Sequence, residues 1–448
     1  MYPFISVLLE MNSLNCNMRK THFFFTFLFF FSSCNKQEYL VVNEDIVFSS
    51  VVNSPREIDP PTSLNSYTLE DSLVSEVITC NNGFADGYPC RGMDLYSHIT
   101  LTEFGSTFAN DNWGWTDSDS GKEYVIQGLN DGTAFIDISD PLNPIYLGKI
   151  SVNTSSIWRD IKVFKNHAFI VSEANDHGLQ IFDLTRLRDI NSFQSLIPDK
   201  KLNTFGSAHN IAINEATGYA YVIGSQRFSG GPIFIDINEP KNPIEVGGYR
   251  TMGYSHDAQV VLYHGPDDDH KGKEIYIGSN SDSGSNNKVV IIDVSDKSNP
   301  FLITTIPYSG SGYAHQSWLS IDHKFLFFGD ELDEYYYGGN TKTFIFDISK
   351  ITEPSLAYTY NGVTTAIDHN GYVVGGLYYL SNYTAGLRVM DISQIQNNAM
   401  EEVMYFDTYP NHDINSFDGV WNVYPFFQSG MIAISDTNNG LYLVKASN

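Results

Sequence analysis

The chain is short of basic residues, of cysteine and of charge in general. Its 448 residues include 26 Lys and Arg against 52 Asp and Glu, which gives a formal net charge of −26. A surface this acidic is repelled by nucleic acid and by anionic membrane surfaces, so we expect no nucleic-acid partner. Charged residues make up only 17% of the chain, whereas 42% are hydrophobic and 14% aromatic. That balance excludes a disordered chain and a long coiled coil, and it supplies a large core.

Several catalytic signatures are missing as well. The chain has no Gly-x-Ser-x-Gly elbow, no P-loop and no convincing dinucleotide-binding fingerprint. These absences disfavour a serine hydrolase, a kinase and a nicotinamide-dependent enzyme. No local pair of ligands such as His-x-x-x-His is present either. Any metal site must therefore be assembled from distant parts of the chain.

The one strongly apolar run, residues 23–31, lies near the N-terminus. A basic pair precedes it and small residues follow, which is the pattern of a secretory signal, and the run is too short to span a bilayer. We assign residues 1–33 to the signal peptide and take Met18 as the true start. The position of Cys34 resembles a bacterial lipoprotein signal, in which cleavage leaves this cysteine as the lipidated N-terminus. A plain secreted protein that is cleaved nearby is the alternative.

Residues 34–79 are rich in Ser, Asn, Glu and Pro, and they predict a flexible tether. Beyond this tether, Cys80 and Cys90 are the two cysteines that remain. In an exported protein an isolated pair is most simply a disulfide, whereas a two-cysteine metal site would lack nearby partners. We expect the disulfide to staple a lead-in segment over residues 80–96, with a contribution of about 2–3 kcal/mol to stability.

One pattern recurs through the rest of the chain: a turn, an apolar strand, an aspartate, and a second turn that often contains Asn-Pro. Six copies end on an aspartate, at Asp137, Asp183, Asp236, Asp293, Asp347 and Asp391. Successive aspartates lie 44–57 residues apart, and a seventh copy at 440–447 carries Lys445 instead. Each aspartate is most simply a turn former, with calcium binding as the less favoured alternative.

Further apolar strands fit between these copies, so each unit holds about four short strands, which is typical of a β-propeller. We predict an all-β, seven-bladed β-propeller over residues 97–448. Because the chain ends on an aspartate-type strand, the outer strand of the last blade is missing. We expect residues 97–104 to supply it and to close the ring.

A second series of motifs stands just before the first strand of each unit. The motifs are Trp113-Gly-Trp115, Trp158-Arg159-Asp160, Ala208-His209-Asn210, Ser255-His256-Asp257, Ala314-His315-Gln316, Asp368-His369-Asn370 and Asp418-Gly-Val-Trp421. The first strand of each blade lines the central channel of a propeller, so we expect these residues to converge at the channel mouth. The candidate site residues are His209, His256, Asp257, His315, His369, Asp160 and Arg159.

Four imidazoles with flanking carboxylates are ligands that zinc, copper and iron accept, so one transition metal is the cofactor considered. The same groups suit a general base or a proton relay. In the alternative interpretation, each histidine bonds to a neighbouring blade and only holds the packing. No catalytic role is assigned to any of these residues.

Other segments are weaker candidates. The acidic segments 329–334 and 264–270 are expected to be solvated loops, with calcium binding as the alternative. The tyrosine clusters at 335–337 and 378–383 are expected to be exposed, which suits sugar or peptide binding. Alternatively, the tyrosines fill the interfaces between blades.

The motifs of the second series, together with the repeated strands that end in aspartate and the Cys80–Cys90 segment, resemble the choice-of-anchor B proteins, which are built from LVIVD-type repeats. The resemblance covers roughly residues 80–448. It implies an exported, propeller-like protein that is attached to a surface, here through Cys34. The family has no established activity, so no catalytic residue is carried over.

The leading hypothesis is an exported lipoprotein, anchored to the outer membrane and exposed at the cell surface, whose propeller binds a glycan or another protein. The alternative is a metal-dependent enzyme (a hydrolase, lyase or oxidoreductase) with a histidine-lined channel site. A purely structural surface protein is the third interpretation. The sequence favours a non-enzymatic role.

Overall fold

The computed structural model describes residues 76–281 and 287–447. The signal peptide 1–33, the lipidation site Cys34 and the tether up to residue 75 lie outside the described residues. Within the described part of the chain, no helix combines the length and apolar character needed to cross a membrane.

The strands follow one another from the lead-in segment to the seventh blade. The lead-in contains β1 (Phe84–Ala85), β2 (Tyr88–Arg91), β3 (Met93–Ile99) and the short helix α1 (Leu101–Phe104). Blade 1 consists of β4 (Ala109–Thr116), β5 (Glu123–Leu129), β6 (Gly132–Asp137) and β7 (Ile145–Ser151). Blade 2 consists of β8 (Arg159–Phe164), β9 (His167–Ser172), β10 (Leu179–Asp183) and β12 (Lys200–Leu202). Between β10 and β12, the chain forms a 3₁₀ helix (Leu184–Asp189) and the strand β11 (Gln194–Leu196), which is the edge strand of blade 1. Blade 3 consists of β13 (Asn210–Asn214), β14 (Tyr219–Ile223), a 3₁₀ helix (Arg227–Gly230), β15 (Ile233–Asp236) and β16 (Ile244–Gly248).

The remaining blades follow the same plan. Blade 4 consists of β17 (Ser255–Leu262), β18 (Glu274–Asn280), β19 (Lys288–Asp293) and β20 (Phe301–Pro307). Blade 5 consists of β21 (Ala314–Leu319), β22 (Phe325–Asp330), the short helix α2 (Asp333–Tyr337), β23 (Lys342–Asp347) and β24 (Ser355–Asn361). Blade 6 consists of β25 (Gly371–Val374), β26 (Leu377–Ser381), β27 (Leu387–Asp391), a 3₁₀ helix (Ile395–Asn397) and β28 (Glu401–Phe406). Blade 7 consists of β29 (Val420–Tyr424), β30 (Met431–Asp436), β31 (Gly440–Ala446) and β3.

The seven blades, which are antiparallel except for the parallel pairing of β11 with β7, confirm the predicted seven-bladed β-propeller. The middle strands of each blade are apolar on both faces because neighbouring blades pack against both sides. Every residue of β5 is buried, for example. The outer strands are partly exposed, as Ile244 in β16 shows with 61% of its surface accessible. The innermost strands β4, β8, β13, β17, β21, β25 and β29 surround the central channel.

The six repeated aspartates are turn formers, as predicted. In each copy a carboxylate oxygen accepts a hydrogen bond from the backbone N–H two residues later. The N···O distances are 2.9 Å at Asp137, 3.1 Å at Asp183, 2.9 Å at Asp236, 3.0 Å at Asp293, 2.8 Å at Asp347 and 2.7 Å at Asp391. The carboxylate therefore fixes the turn after the third strand in blades 1 to 6.

The N-terminal segment closes the ring, because β3 pairs with the last strand β31. The strand runs from Met93 to Ile99, so the boundary expected at residue 97 falls inside it. It ends where Thr100 and Glu103 form a reciprocal capping box, which starts α1 in place of further strand. Ile78, placed by the sequence in the tether, makes backbone hydrogen bonds of 2.9 Å in both directions with Leu95 and packs on the core.

A disulfide joins Cys80 to Cys90, with an S–S distance of 2.04 Å. The hairpin of β1 and β2 lies next to this bond, and β2 pairs with β28 at the outer edge of blade 6. The lead-in thereby covers an edge that would otherwise be open to pairing with another chain.

A candidate metal centre in the central channel

The inner strands bring the four predicted histidines together. They form a continuous ladder of rings at one end of the channel, with centroid distances of 4.2 Å between His209 and His256, 4.3 Å between His256 and His315, and 4.1 Å between His315 and His369. All four are buried, with at most 8% of their surface exposed. Each histidine comes from a different blade, at or just before the start of its first strand. The repeat pattern therefore located this cluster correctly.

Three of the four rings also contact a neighbouring blade through Nδ1. His209 Nδ1 lies 2.6 Å from Glu173 Oε1, His256 Nδ1 lies 3.0 Å from the carbonyl oxygen of His315, and His369 Nδ1 lies 2.5 Å from that of Trp421. A carbonyl oxygen only accepts, so Nδ1 carries the proton in His256 and in His369. In the neutral ring Nε2 then keeps its lone pair.

His315 differs from the other three rings. It is 1% exposed, and in the described part of the chain neither of its ring nitrogens makes a hydrogen bond. Burial and the adjacent imidazoles hold the pKa of His315 well below its usual range, so the ring is neutral. A buried polar group without a partner is rare in native proteins, so it requires an explanation.

The third member of the site, Glu331, was not among the predicted residues. Its carboxylate lies 3.7 Å from His315 Nε2 and 3.6 Å from His369 Nε2. The hydroxyl of Tyr383 donates a hydrogen bond of 2.8 Å to Glu331 Oε1. Ligand atoms of the two histidines and Glu331 all lie within 4.8 Å of one another. We call His315, His369 and Glu331 the channel triad.

The acidic segment that contains Glu331 was expected to be a solvated loop, and this expectation was wrong. Asp330, Glu331, Asp333 and Glu334 are each at most 2% exposed. The segment begins with the last two residues of β22. It is held in the interior because Asp330 Oδ1 accepts hydrogen bonds from the backbone N–H groups of Tyr313 and Leu332. No local feature of the sequence indicates that these four carboxylates are buried.

The other predicted carboxylates, Asp160 and Asp257, accept hydrogen bonds from backbone N–H groups. Asp160 Oδ2 accepts a hydrogen bond of 2.8 Å from the backbone N–H of Ile211 in the next blade, while Asp160 Oδ1 accepts one of 2.9 Å from Lys162. Asp257 Oδ1 accepts a bond of 2.5 Å from the N–H of Ala258, and burial raises the pKa of the Asp257 carboxyl.

The guanidinium of Arg159 bonds to the preceding blade and within its own blade, and its Nη2 has no hydrogen-bond partner in the described part of the chain. It donates to the carbonyl oxygen of Leu129 at 3.2 Å and to His177 Nε2 at 2.8 Å. Burial lowers the pKa of Arg159 to about 10 and that of His177 to about 3, the latter also because of the adjacent guanidinium. Arg159 and Asp160 therefore serve the scaffold, and the channel triad does not include them.

Similar contacts between inner strands run around much of the ring. Asp111 Oδ2 accepts a bond of 2.9 Å from the N–H of Ile161, and Gln316 Oε1 accepts one of 2.6 Å from that of Gly371. Asn422 Nδ2 donates at 2.6 Å to Asp111 Oδ1, which joins blade 7 to blade 1. We call these contacts, with that of Asp160, the inter-blade latches.

The space beside the histidine ladder is small. Its lining includes Asp160, His209, His256, His315 and His369, and the cavity measures about 20 Å³. That volume holds about one water molecule or one metal ion. A sugar or a peptide does not fit there.

The opposite end of the channel opens into a wider cavity of about 320 Å³. We call it the aromatic funnel; its principal side chains are Trp113, Trp318, Tyr424, Phe426, Lys162 and Glu215. The ring of Trp113 lies 5.1 Å from that of Tyr424, and the ammonium of Lys162 lies 4.5 Å from the Trp113 ring centroid. Trp113 belonged to the predicted mouth motifs, but the inner strand carries it to the far end, away from the histidines.

One tyrosine cluster is exposed, as predicted, whereas the other contains tyrosines that are buried between blades. Tyr335, Tyr336 and Tyr337 are exposed, with accessible fractions of 43%, 43% and 64%. Tyr378 and Tyr383 are buried, so the prediction of exposure was wrong for them. Tyr378 stacks on Phe327 of the adjacent blade with a centroid distance of 5.0 Å.

The second acidic segment, 264–270, is only partly solvated. Asp268 and Asp269 are exposed, but Asp267 is 4% exposed and accepts hydrogen bonds of 3.1 Å from Lys350 Nζ and 3.0 Å from the N–H of Ile351. Asp267 is therefore satisfied by protein groups.

Comparison with known proteins supports the repeat and the fold. The LVIVD repeat pattern matches residues 205–251 and 282–306, which lie in blades 3 and 4. A search of curated proteins finds no match. The chain is similar to the crystal structure of the RRP9 WD40 repeats, with 9% identity, a TM-score of 0.51, and coverage of 80% of this chain and 99% of that one.

Two further solved structures are similar to the chain. The β-propeller domain of Cps50 (Swd1) from Myceliophteria thermophila is 10% identical, with a TM-score of 0.51 and coverage of 80% of this chain and 100% of that one. A functionally unknown protein from Desulfotomaculum acetoxidans is 14% identical, with a TM-score of 0.47 and coverage of 78% and 98%. At 9% and 10% identity, the two similarities with TM-scores of 0.51 show the propeller fold alone.

Proposed function

We propose that the central channel binds one transition-metal ion through the Nε2 atoms of His315 and His369 and the carboxylate of Glu331. The observation that carries this proposal is the imidazole of His315, which is buried beside a carboxylate yet has no hydrogen-bond partner in the described part of the chain. Coordination of a metal ion gives that ring the partner that the protein does not supply.

The chemistry of the three donors fits such an ion. Two imidazoles and one carboxylate form a ligand set typical of Zn²⁺ and Fe²⁺. His315 is neutral because its pKa lies well below the usual range, so no proton has to leave before it coordinates. The bond from His369 Nδ1 to the Trp421 carbonyl orients that ring and leaves Nε2 as the ligand atom.

A metal ion at this position supplies Lewis-acid or redox chemistry. The cavity beside His315 and His369 measures about 20 Å³, so it has room for a species the size of water or dioxygen. An enzyme of this kind would therefore act on a very small reactant, and direct hydrolysis of a polymer in this cavity is disfavoured.

The test is elemental analysis of the full chain purified without a polyhistidine tag. We expect about one zinc or iron per chain, and an occupancy at least tenfold lower in the H315A and H369A variants. H209A is the matched control, because His209 belongs to the same ladder but lies outside the channel triad. Absence of metal after incubation with zinc, copper and iron would contradict the proposal, as would an equal loss in H209A.

The aromatic funnel favours a second function, the binding of an extracellular glycan. Its volume of about 320 Å³ lies at the lower end of the range for small-molecule pockets and holds one or two sugar rings. The half-buried rings of Trp113 and Trp318 offer apolar faces, and Lys162 and Glu215 add groups that bond to hydroxyls.

A glycan array followed by calorimetry tests this second function. A W318A variant should weaken binding of the selected glycan at least tenfold, whereas Y337A, which removes an exposed tyrosine outside the funnel, should leave it unchanged. If no glycan binds, or if Y337A has the larger effect, the funnel does not have this function.

Export and anchoring belong to the same proposal. The protein is a surface lipoprotein of the outer membrane, attached through Cys34 and related to the choice-of-anchor B proteins. The disulfide between Cys80 and Cys90 supports an oxidising compartment. Metabolic labelling with palmitate should mark the chain, and a C34A variant should lose the label and leave the membrane fraction. An unlabelled wild-type chain would contradict the anchor.

A further inference from the structure

Three carboxylates meet between blades 5 and 6, next to the channel triad but separate from it. Asp333 and Glu334 are the first residues of α2, and Asp368 precedes β25. Carboxylate oxygens of the three residues lie within 4.8 Å of one another. The residues are 2%, 0% and 1% exposed, respectively. We call them the carboxylate cluster.

Asp368 is the unusual member. In the described part of the chain, neither of its carboxylate oxygens accepts a hydrogen bond, although both are buried. Asp333 Oδ1 and Glu334 Oε2 likewise accept none there, although the two carboxyl groups lie close enough to share a hydrogen bond when one of them is protonated. The other oxygens of these two residues are used, since Asp333 Oδ2 accepts a bond of 2.7 Å from Lys342 Nζ and Glu334 Oε1 accepts one of 3.0 Å from the Lys342 N–H. At least one unused oxygen from each residue is therefore available in one buried region.

The charge of the cluster is not balanced by the protein. When ionised, the three carboxylates carry three negative charges, and the ammonium of Lys342 compensates one of them. Asp330 and Glu331 add further negative potential around Asp368. A buried carboxylate is stable only when it is paired, bound to a metal or protonated. Two negative charges remain, which is the charge that one divalent cation neutralises.

The backbone is adapted to this position of Asp368. A Cβ atom on Gly329 would lie 2.4 Å from Asp368 Oδ2, which is closer than real contacts allow. Glycine at this position in β22 therefore makes room for the carboxylate.

We propose that the carboxylate cluster of Asp333, Glu334 and Asp368 binds a hard divalent cation, of the Ca²⁺ or Mg²⁺ class. The donors are all oxygens, which such cations prefer, whereas the channel triad contributes two imidazoles suited to transition metals. This cation site does not depend on the proposed channel metal. Protonation is the competing explanation, since burial raises the pKa of Asp368 well above its usual range and that of Glu334 to about 10.

Thermal unfolding of the full chain separates the two explanations. The protein is stripped with EDTA, dialysed, and melted alone or with millimolar Ca²⁺ or Mg²⁺. We expect one of the cations to raise the Tm by about 3 °C or more. The D368N variant should abolish that shift, and it should melt higher than the stripped wild type because a repulsive charge has gone. E334Q serves the same purpose if D368N does not fold.

Two controls complete the design. D267N changes a carboxylate that is equally buried but already bonded to Lys350 and the Ile351 N–H, so its Tm should fall while the cation shift persists. H315A should keep the shift, which separates this site from the channel triad. The proposal is overturned if neither cation raises the Tm, or if D368N and E334Q retain the shift.

Discussion

Two buried carboxylates beside the channel, Asp111 in blade 1 and Asp160 in blade 2, are satisfied by protein groups, whereas two buried groups in blades 5 and 6 are not. In the first region, Asp111 and Asp160 accept hydrogen bonds from the backbone of the next blade, and Lys162 lies between them at 3.7 and 2.9 Å. In the second region, His315 and Asp368 are buried as deeply but find no hydrogen-bond partner among the described residues.

The difference shows that similar residue types serve two purposes around one ring. The inter-blade latches use carboxylates and amides to join neighbouring blades, so the fold gains stability from them. His315 and Asp368 give the fold no such bond, and a buried polar group without one is unfavourable. Their presence is accounted for when ligands complete their coordination, which is the basis of both proposals.

The largest expected effect comes from breaking a latch. D160A leaves Lys162 partly buried, with Asp111 as its remaining ion-pair partner among the described residues, and it removes the acceptor of the Ile211 N–H. We expect the free energy of unfolding to fall by about 3 kcal/mol, because a partly uncompensated buried charge and a lost buried hydrogen bond add together. Urea denaturation measures this loss.

The control is D347A, which removes a carboxylate whose hydrogen bond, among the described residues, lies within its own turn. Its loss should be less than half that of D160A. If the two variants unfold at the same urea concentration, Asp160 is not an inter-blade latch. The proposed difference between blades 1 to 3 and blades 5 and 6 would then be wrong.

A second effect concerns pH, on the latch side of the ring. The pKa of His177 in the folded protein is about 3, against an ordinary value of 6.5. Below pH 6.5, His177 binds a proton in the unfolded chain but stays neutral in the folded protein. The free energy of unfolding therefore decreases as the pH falls. At pH 5 the loss is about 2 kcal/mol.

H177Q removes that titration. Between pH 7.5 and pH 5, the variant should lose about 2 kcal/mol less unfolding free energy than the wild type, as measured by urea denaturation at each pH. An equal loss in both proteins would show that the His177 ring is accessible to protons in the folded state, and so that this side is less tightly packed than the structure indicates.

The smallest effect on stability lies on the ligand side. Y383F removes the hydroxyl that bonds to Glu331 Oε1, with an expected cost of about 1 kcal/mol in unfolding free energy. Because this hydroxyl orients a proposed ligand, the affinity for zinc should fall about tenfold in a competition titration with a chromophoric chelator. Y378F, which changes a buried tyrosine stacked on Phe327, should not alter the affinity. Equal affinities in Y383F and wild type would remove Glu331 from the site.

Much of the fold is readable from the sequence because its signals are local and repeated. The strands ending in Asp137 and its equivalents recur at blade intervals, and each aspartate bonds to the turn that follows it. The closing strand was also predictable, since the last unit lacked an outer strand. The first and last residues of this strand were not predictable, because they depend on the capping box at Thr100 and on the contact of Leu95 with Ile78.

The site was predictable only in part. Four histidines recur near the start of the first strand in successive blades, which predicted that they would lie together. They are His209, His256, His315 and His369. Glu331 was missed because its burial depends on long-range contacts, such as those of the adjacent Asp330 with Tyr308 and Gly312. The carboxylates of Asp160 and Asp257 were taken as candidate ligands, and only the structure shows that Asp160 is engaged by Lys162 and by the next blade.

The most direct test of the central claim is anomalous X-ray diffraction from crystals of the tag-free protein, recorded at the zinc and iron absorption edges. We predict one anomalous peak in the channel, about 2.0–2.1 Å from Nε2 of both His315 and His369 and about 2.0–2.2 Å from a carboxylate oxygen of Glu331. A channel without an anomalous peak in metal-soaked crystals, with His315 bonded instead to an ordered water molecule, would contradict it.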